Sequence, residues 1–139
     1  MKSVVLLTAD PVQMKEFREA LRDLPGLKVE QEAQSTKAAL DSLRREPADI
    51  LIADLFLGES ASGLDFLKTI KKSNDRITFI LVTRIKDRGL VDRAFRFGAA
   101  DVLPYPMAKD TLRETLKHRL HWLAGTAAHL AKAEAEEET

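Results

Sequence analysis

The sequence predicts a single α/β domain in which five parallel strands alternate with five helices. Short apolar runs recur five times, and stretches with apolar residues three and four positions apart follow them. Proline, glycine and small polar residues separate the two kinds of segment. The chain has 139 residues, of which 45% are hydrophobic and 32% charged, which suits one domain with its own core.

The strands are expected to be apolar throughout, because parallel strands in such a domain are covered on both faces. In chain order, the predicted strands are 4–7, 27–29, 50–53, 77–82 and 102–103. The helical patterns that follow them are Met14, Phe17, Leu21 and Leu24, then Thr36, Ala39 and Leu43, then Leu64, Leu67 and Ile70, then Leu90, Ala94 and Phe97, and last Leu112, Leu116, Leu120 and Leu123.

Helix caps and helix breakers lie where this division requires them. In order they are Asp10-Pro11, Pro25-Gly26, Ser35 or Thr36, Pro47 and Gly98. Since crossovers between parallel strands are right-handed, few topologies remain for five such units. We predict a flavodoxin-like three-layer sandwich with strand order 2-1-3-4-5.

Composition excludes several functional classes. Twenty-two basic residues balance twenty-two acidic ones, which argues against direct binding of nucleic acid or an anionic membrane. The absence of cysteine excludes disulfides, thiol catalysis and thiolate metal sites. The first apolar run is too short for a signal peptide, and none is long enough to span a membrane. We therefore expect a soluble, cytoplasmic protein.

Two aspartates are predicted at the same edge of the sheet. Ligands of doubly wound sheets bind outside the carboxyl ends of the strands, where the strand order reverses. Asp10 follows the first strand and Asp54 ends the third, so both should face one crevice. Carboxylates bind Mg²⁺, and a metal-neutralised aspartate can attack a phosphoryl group. The alternative, a simple helix cap, is as well supported for Asp10 but weaker for Asp54, since the next helix begins only near Gly63.

Four segments at the predicted strand ends carry a family resemblance. They are 6–10 (Leu-Leu-Thr-Ala-Asp), 54–58 (Asp-Leu-Phe-Leu-Gly) with 63–67, 81–83 (Leu-Val-Thr) and 97–106 (Phe-Gly-Ala-Ala-Asp-Val-Leu-Pro-Tyr-Pro). In this order and spacing, the sequence resembles the receiver domains of two-component response regulators, most closely those of citrate- and malate-sensing regulators. The resemblance covers residues 3–121.

The resemblance implies a role for several residues. Asp54 would be the phosphoacceptor, Asp10 a direct Mg²⁺ ligand and the backbone carbonyl of Phe56 a third ligand. The hydroxyl of Thr83 would bind the phosphoryl group and draw its loop inward, although a β-branched residue also simply suits a strand end. Pro106 would follow a cis peptide bond, as it does in the family.

The sequence also departs from the family pattern. Ala9 replaces one acid of the pair after the first strand, so Mg²⁺ binding should be weak, on the order of millimolar. Tyr105 replaces the lysine that pairs with the phosphoryl group and brings no positive charge. Arg84, where a small residue is usual, either reaches inward as a substitute cation or is a solvated loop charge. Val102 replaces the aromatic residue that normally moves with Thr83.

The favoured function is a receiver module that accepts a phosphoryl group on Asp54 from a histidine kinase or phosphotransfer protein, with Mg²⁺ as cofactor. The alternative is a pseudo-receiver that acts as an interaction or dimerisation module without phosphorylation. An enzyme on the same fold is not expected. The first strand is followed by no glycine-rich phosphate loop, and Phe56 stands where a phosphohydrolase would need a general acid.

Two surfaces are candidates for self-association. The face formed by the fourth helix, fifth strand and fifth helix is the usual output or dimer face of receivers, although its charges also fit a solvated surface. We assign residues 1–123 to the receiver domain and 124–139 to a C-terminal helix extension or tail. Leu116, Leu120, Leu123, Ala127, Leu130 and Glu134 form a heptad pattern across this boundary. Gly125 weakens that pattern, and a core-facing helix also explains the first three leucines.

Overall fold

The computed structural model describes residues 2–22, 24–57, 62–107 and 110–118, in which strands and helices alternate as predicted. The strands are β1 (Lys2–Leu7), β2 (Leu27–Ala33), β3 (Ile50–Asp54), β4 (Thr78–Thr83) and β5 (Asp101–Pro104). The helices are α1 (Pro11–Arg22), α2 (Thr36–Arg45), α3 (Gly63–Ser73), α4 (Arg88–Arg96) and α5 (110–118).

The strands form one five-stranded sheet in the order β2-β1-β3-β4-β5, and the four described pairings are parallel. Alternate residues of β3 enter two different apolar clusters: Leu51 joins the cluster under α2, α3 and α4, whereas Ile52 joins the cluster under α1 and α5. The sheet is therefore the middle of three layers, and the predicted fold and strand order are confirmed.

The expectation that every strand is apolar throughout is wrong for β2. This strand lies at the edge of the sheet, with β1 as its described neighbour. Lys28 and Glu30 on β2 point to solvent and form an ion pair of 3.6 Å. The strand also continues to Ala33, because Gln31 and Glu32 pair with β1 although they are polar. An edge strand needs fewer apolar residues, so the apolar run 27–29 marks only part of it.

Side-chain caps fix the starts of the helices near the carboxyl end of the sheet. The Ser35 hydroxyl accepts a hydrogen bond of 3.1 Å from the Ala38 N–H at the start of α2, so Ser35 is the predicted cap. The carboxylates of Asp10 and Asp87 accept from backbone N–H groups in the first turns of α1 and α4. The loops that carry Asp10 and Asp87 are thereby tied to the helices that follow them.

The C-terminal predictions lie mostly outside the described residues. These include the boundary between 123 and 124 and the heptad positions from Leu120 onward. Leu116 is described, and it is fully buried with Leu112 in the core beneath α5. For Leu116, the core-facing interpretation is therefore correct. Within the described part of the chain, no helix is both long and apolar enough to cross a membrane.

Candidate functional site

Asp54 is a buried carboxylate at the centre of the carboxyl end of the sheet. It is the last residue of β3, which lies between β1 and β4, and only 6% of its surface is exposed. The Thr8 hydroxyl, just beyond β1, donates a hydrogen bond of 3.2 Å to Asp54 Oδ2. The same Thr8 oxygen accepts from the Asp10 N–H at 3.2 Å. Thr8 therefore holds the Asp54 carboxylate and the Asp10 backbone in one network.

Burial raises the pKa of Asp54 above its ordinary value, because the charged form loses contact with water. The Phe56 N–H, the Thr8 hydroxyl and the positive charge of Arg84 act in the opposite direction and hold the pKa lower than burial alone would. These hydrogen bonds and the charge of Arg84 thus offset only part of the cost of burying the ionised carboxylate. Such a group favours a bound cation or reaction with an electrophile.

Thr8 belongs to the site although the sequence interpretation missed it. It is completely buried and directly follows the apolar residues of β1. A polar residue at the carboxyl end of a central parallel strand was the available signal. The predicted spacing placed Asp10 in the crevice, but the side chain shown to contact Asp54 is that of Thr8.

Asp10 caps α1, and its second carboxylate oxygen meets a cationic side chain. Its Oδ1 accepts a hydrogen bond of 2.9 Å from the Val12 N–H, as a helix cap does. Its Oδ2 lies 3.5 Å from the guanidinium of Arg84. Asp10 therefore faces the site with a cationic partner, and its role as a metal ligand stays a prediction.

Arg84 reaches inward over the site. In addition to its contact with Asp10, the guanidinium carbon lies 4.7 Å from the centroid of the Tyr105 ring, a cation–π arrangement. The side chain is 48% exposed, so it lies at the mouth of the crevice and remains in contact with water. Of the two interpretations of Arg84, the inward cation is the one that this geometry supports.

Tyr105 points toward α1. Its hydroxyl donates a hydrogen bond to the Glu16 carboxylate, and its ring meets Phe17 edge-on at 6.0 Å. Burial, together with the contact to Glu16, raises the pKa of Tyr105 to about 12. The phenol therefore stays neutral at physiological pH, and the face of its ring packs against the Arg84 guanidinium. The expected cis peptide bond before Pro106 is present.

Thr83 ends β4 as predicted, but its hydroxyl is bonded within its own loop. The Thr83 oxygen accepts a hydrogen bond of 2.9 Å from the Ile85 N–H, and the residue is buried. The Thr83 carbonyl accepts from the Tyr105 N–H at 2.9 Å, which joins the ends of β4 and β5. A role in binding a phosphoryl group would require this hydroxyl to change partners, and it stays a prediction.

Three exposed apolar side chains lie close in the chain to the carboxyl ends of the central strands. Val12, Phe56 and Ile85 follow β1, β3 and β4 and are 63%, 56% and 40% exposed. Val12 lies in the first turn of α1, and Phe56 and Ile85 lie in the loops that follow β3 and β4. Exposed apolar groups of this kind are typical of a surface that another protein covers.

The oxygen donors at this site fit a hard cation, but they are sparse. The described residues contain no group of three or more histidine, cysteine or acidic side chains placed to hold a metal ion. Asp10 and Asp54 supply two carboxylates. Mg²⁺ accepts such a set when backbone carbonyls and water complete the octahedron, as the Phe56 carbonyl could. The donor chemistry therefore suits weakly held Mg²⁺.

Gly63 allows the start of α3 to pack closely against the end of β3. Its N–H donates a hydrogen bond of 2.7 Å to the Leu55 carbonyl. A Cβ atom at this position would lie 2.3 Å from the backbone oxygen of Asp54, which leaves no room for any side chain. Phe56 and Ser62 also form an antiparallel bridge beside it. The backbone that carries Asp54 is therefore held by close packing.

Comparison with known proteins gives consistent matches. Residues 4–117 match the model of the response regulator receiver domain. The chain is 29% identical over 124 residues to a protein-glutamate methylesterase/protein-glutamine glutaminase of Treponema denticola, a match that covers 84% of this chain and 33% of that protein. It is 32% identical over 103 residues to the transcriptional regulatory protein ZraR of Salmonella typhimurium, covering 74% and 23%. The chain thus spans a third or less of these curated relatives.

The fold is also similar to solved structures. One is the isolated REC domain of RcsB from Salmonella enterica serovar Typhimurium, determined with the phosphomimetic BeF3-. The TM-score is 0.75 at 19% identity, and the match covers 83% of this chain and 85% of that one. At this identity the likeness concerns the fold alone.

Proposed function

This chain belongs to the response regulator receiver domain family of two-component signalling, and from that premise we propose that Asp54 accepts a phosphoryl group from a histidine kinase or a phosphotransfer protein. One observation carries this proposal. Asp54 is a buried carboxylate at the carboxyl end of the central strand, and the Thr8 hydroxyl donates a hydrogen bond of 3.2 Å to it. A nucleophile fixed in one orientation needs little further ordering to react.

In the proposed step, a carboxylate oxygen of Asp54 attacks the phosphorus of a phosphohistidine. The new O–P bond forms as the P–N bond breaks, and the imidazole leaves with the electron pair and takes up a proton. Asp10, Asp54 and the Phe56 carbonyl would hold Mg²⁺, which when bound neutralises charge between donor and acceptor. Thr8 keeps one carboxylate oxygen in place while the other reacts.

Arg84 supports this function where the family pattern has lost its lysine. The guanidinium carries a permanent positive charge and presents several N–H donors in one plane, which suits phosphoryl oxygens. Its contacts with Asp10 at 3.5 Å and with the Tyr105 ring keep it at the mouth of the crevice. We therefore assign to Arg84 the charge that Tyr105 cannot supply.

The exposed apolar side chains of Val12, Phe56 and Ile85 support a protein as the phosphodonor rather than a small molecule alone. A partner that covers these side chains would also exclude water from Asp54. This interpretation makes the chain a signalling module without an enzymatic activity of its own. It places the protein in the cytoplasm beside its donor, which is compatible with a sequence that lacks cysteine.

The face of α4, β5 and α5 is the proposed output or self-association surface. Phe95 on α4 is 47% exposed, and Arg88 and Arg96 lie on the same helix. An exposed aromatic ring among cations suits a partner that offers apolar and acidic groups. Val102 cannot follow Thr83 as an aromatic side chain would, so the conformational signal to this face should be small.

The test is the mass of the full chain after incubation with acetyl phosphate and Mg²⁺. We expect the increment of one phosphoryl group in the wild type and in Asp41→Asn, which changes an exposed aspartate on α2. Asp54→Asn should gain nothing. Labelling of Asp54→Asn to the wild-type level, or no labelling of any protein by small donors or a phosphorylated partner, would contradict the proposal and leave an interaction module.

A further inference from the structure

Both oxygens of the Asp10 carboxylate are already engaged. Oδ1 accepts from the Val12 N–H at 2.9 Å, and Oδ2 faces the Arg84 guanidinium at 3.5 Å. The proposed metal site needs this same carboxylate as a ligand. A divalent cation and the guanidinium disfavour each other at Oδ2, because two positive charges beside one oxygen repel.

Arg84 is held in this position from a second side. The face of the Tyr105 ring packs against the guanidinium at 4.7 Å. Tyr105 itself is fixed by the Glu16 carboxylate and by the edge-on contact with Phe17. The guanidinium is therefore seated between a carboxylate and an anchored ring, which lowers the entropy that it loses on pairing with Asp10.

We propose that Arg84 and a divalent cation compete for Asp10, so that the guanidinium is the resident counter-ion of the site when no metal is bound. This inference rests on the proposed assignment of Asp10 as a metal ligand. Metal binding displaces Arg84 from Oδ2 and frees it toward phosphoryl oxygens at Asp54. The millimolar affinity expected from sparse ligands then has a second cause, since each bound cation must first break the contact between Arg84 and Asp10.

The loop after β4 offers a matched control. Lys86 lies two residues from Arg84 and carries the same charge, but among the described residues it forms no ion pair or hydrogen bond. Lys86→Ala therefore removes one positive charge from the same loop without touching Asp10. A difference in Mg²⁺ Kd between Arg84→Ala and Lys86→Ala therefore reports the contact between Arg84 and Asp10 rather than the net charge of the domain.

The experiment is a titration of the full chain with MgCl₂ at constant ionic strength, followed by the amide chemical shifts of Asp54. We expect the Mg²⁺ Kd of Arg84→Ala to be about two- to fivefold lower than that of Lys86→Ala, the scale of one half-exposed ion pair. Arg84→Lys should fall between them, because lysine keeps the charge but has no planar face for the Tyr105 ring.

Equal Kd values for Arg84→Ala and Lys86→Ala, or weaker binding by Arg84→Ala, would overturn the competition. A titration with no saturable shift in any of the proteins would overturn it too. The outcome is separable from that of the proposed function, which is measured by labelling of Asp54. A chain that shows the competition but accepts no phosphoryl group would retain this inference and lose only the function.

Discussion

Replacing Gly63 with alanine should break the packing that holds Asp54, the proposed phosphoacceptor. The added Cβ would lie 2.3 Å from the Asp54 backbone oxygen and 3.0 Å from both the Asp54 carbonyl carbon and Leu81 Cδ1. Relief requires a backbone movement of about 1 Å, since ordinary van der Waals contact begins near ~3.4 Å. That movement also lengthens the 2.7 Å hydrogen bond from the Gly63 N–H to the Leu55 carbonyl.

Overpacking of this kind costs up to about 3 kcal/mol, and loss of the hydrogen bond adds about 1 kcal/mol. We therefore expect the free energy of unfolding to fall by roughly 3–4 kcal/mol, which lowers Tm by on the order of 10–15 °C. Since the displaced backbone carries Asp54, labelling by acetyl phosphate should slow by about 100-fold where the variant is still folded. Urea unfolding and a labelling time course measure the two effects.

Gly89→Ala is the matched control. Gly89 lies in the first turn of α4, and its Cβ would meet only the Asp87 side chain at 3.3 Å. A helical glycine replaced by alanine gains up to about 1 kcal/mol, so this variant should be as stable as the wild type or more so. If Gly63→Ala unfolded at the wild-type urea concentration and was labelled at the wild-type rate, the argument from close packing would be refuted.

Three further predictions concern charge. Burial raises the pKa of Asp54, so the folded state favours its protonated form. Asp54→Asn should therefore raise the free energy of unfolding at neutral pH by about 1 kcal/mol. In urea titrations this advantage should decline as the pH falls through the folded pKa of Asp54 and be absent below its unfolded pKa. The only tyrosine of the chain, Tyr105, should ionise near pH 12 in an ultraviolet absorbance titration, and Glu16→Gln should lower that pKa because the carboxylate contributes to raising it. The hydrogen bond and charge of Arg18 lower the pKa of Glu32; stability from this pair is present above the unfolded pKa of Glu32 and lost as the pH falls through its folded pKa. Arg18→Met should accordingly destabilise the domain at neutral pH and not in acid, and equal loss at both would contradict it.

The sequence alone predicted the fold, and it placed Asp54, the proposed phosphoacceptor, at the carboxyl end of the sheet. Apolar runs and three- and four-residue spacings are local patterns, and each predicted a strand or helix that the structure contains. The order of the sheet followed because right-handed crossovers leave few alternatives. Asp54 could be identified as a candidate site residue because it ends a buried strand. Such sheets bind ligands at the carboxyl ends of their strands. The limits of β2 were missed because the polar residues of an edge strand do not interrupt its pairing.

The tertiary structure decided which side chains meet around Asp54. Thr8 bonds to Asp54, Arg84 faces Asp10, and Tyr105 reaches Glu16, across 46, 74 and 89 positions of the chain. The residue types were visible in the sequence, but Arg84 fitted a solvated loop as well as an inward cation. Its orientation depends on the Tyr105 ring, whose own position depends on the packing of β5 against α1. Such contacts are fixed by the packing of distant elements, and a local periodicity carries no information about them.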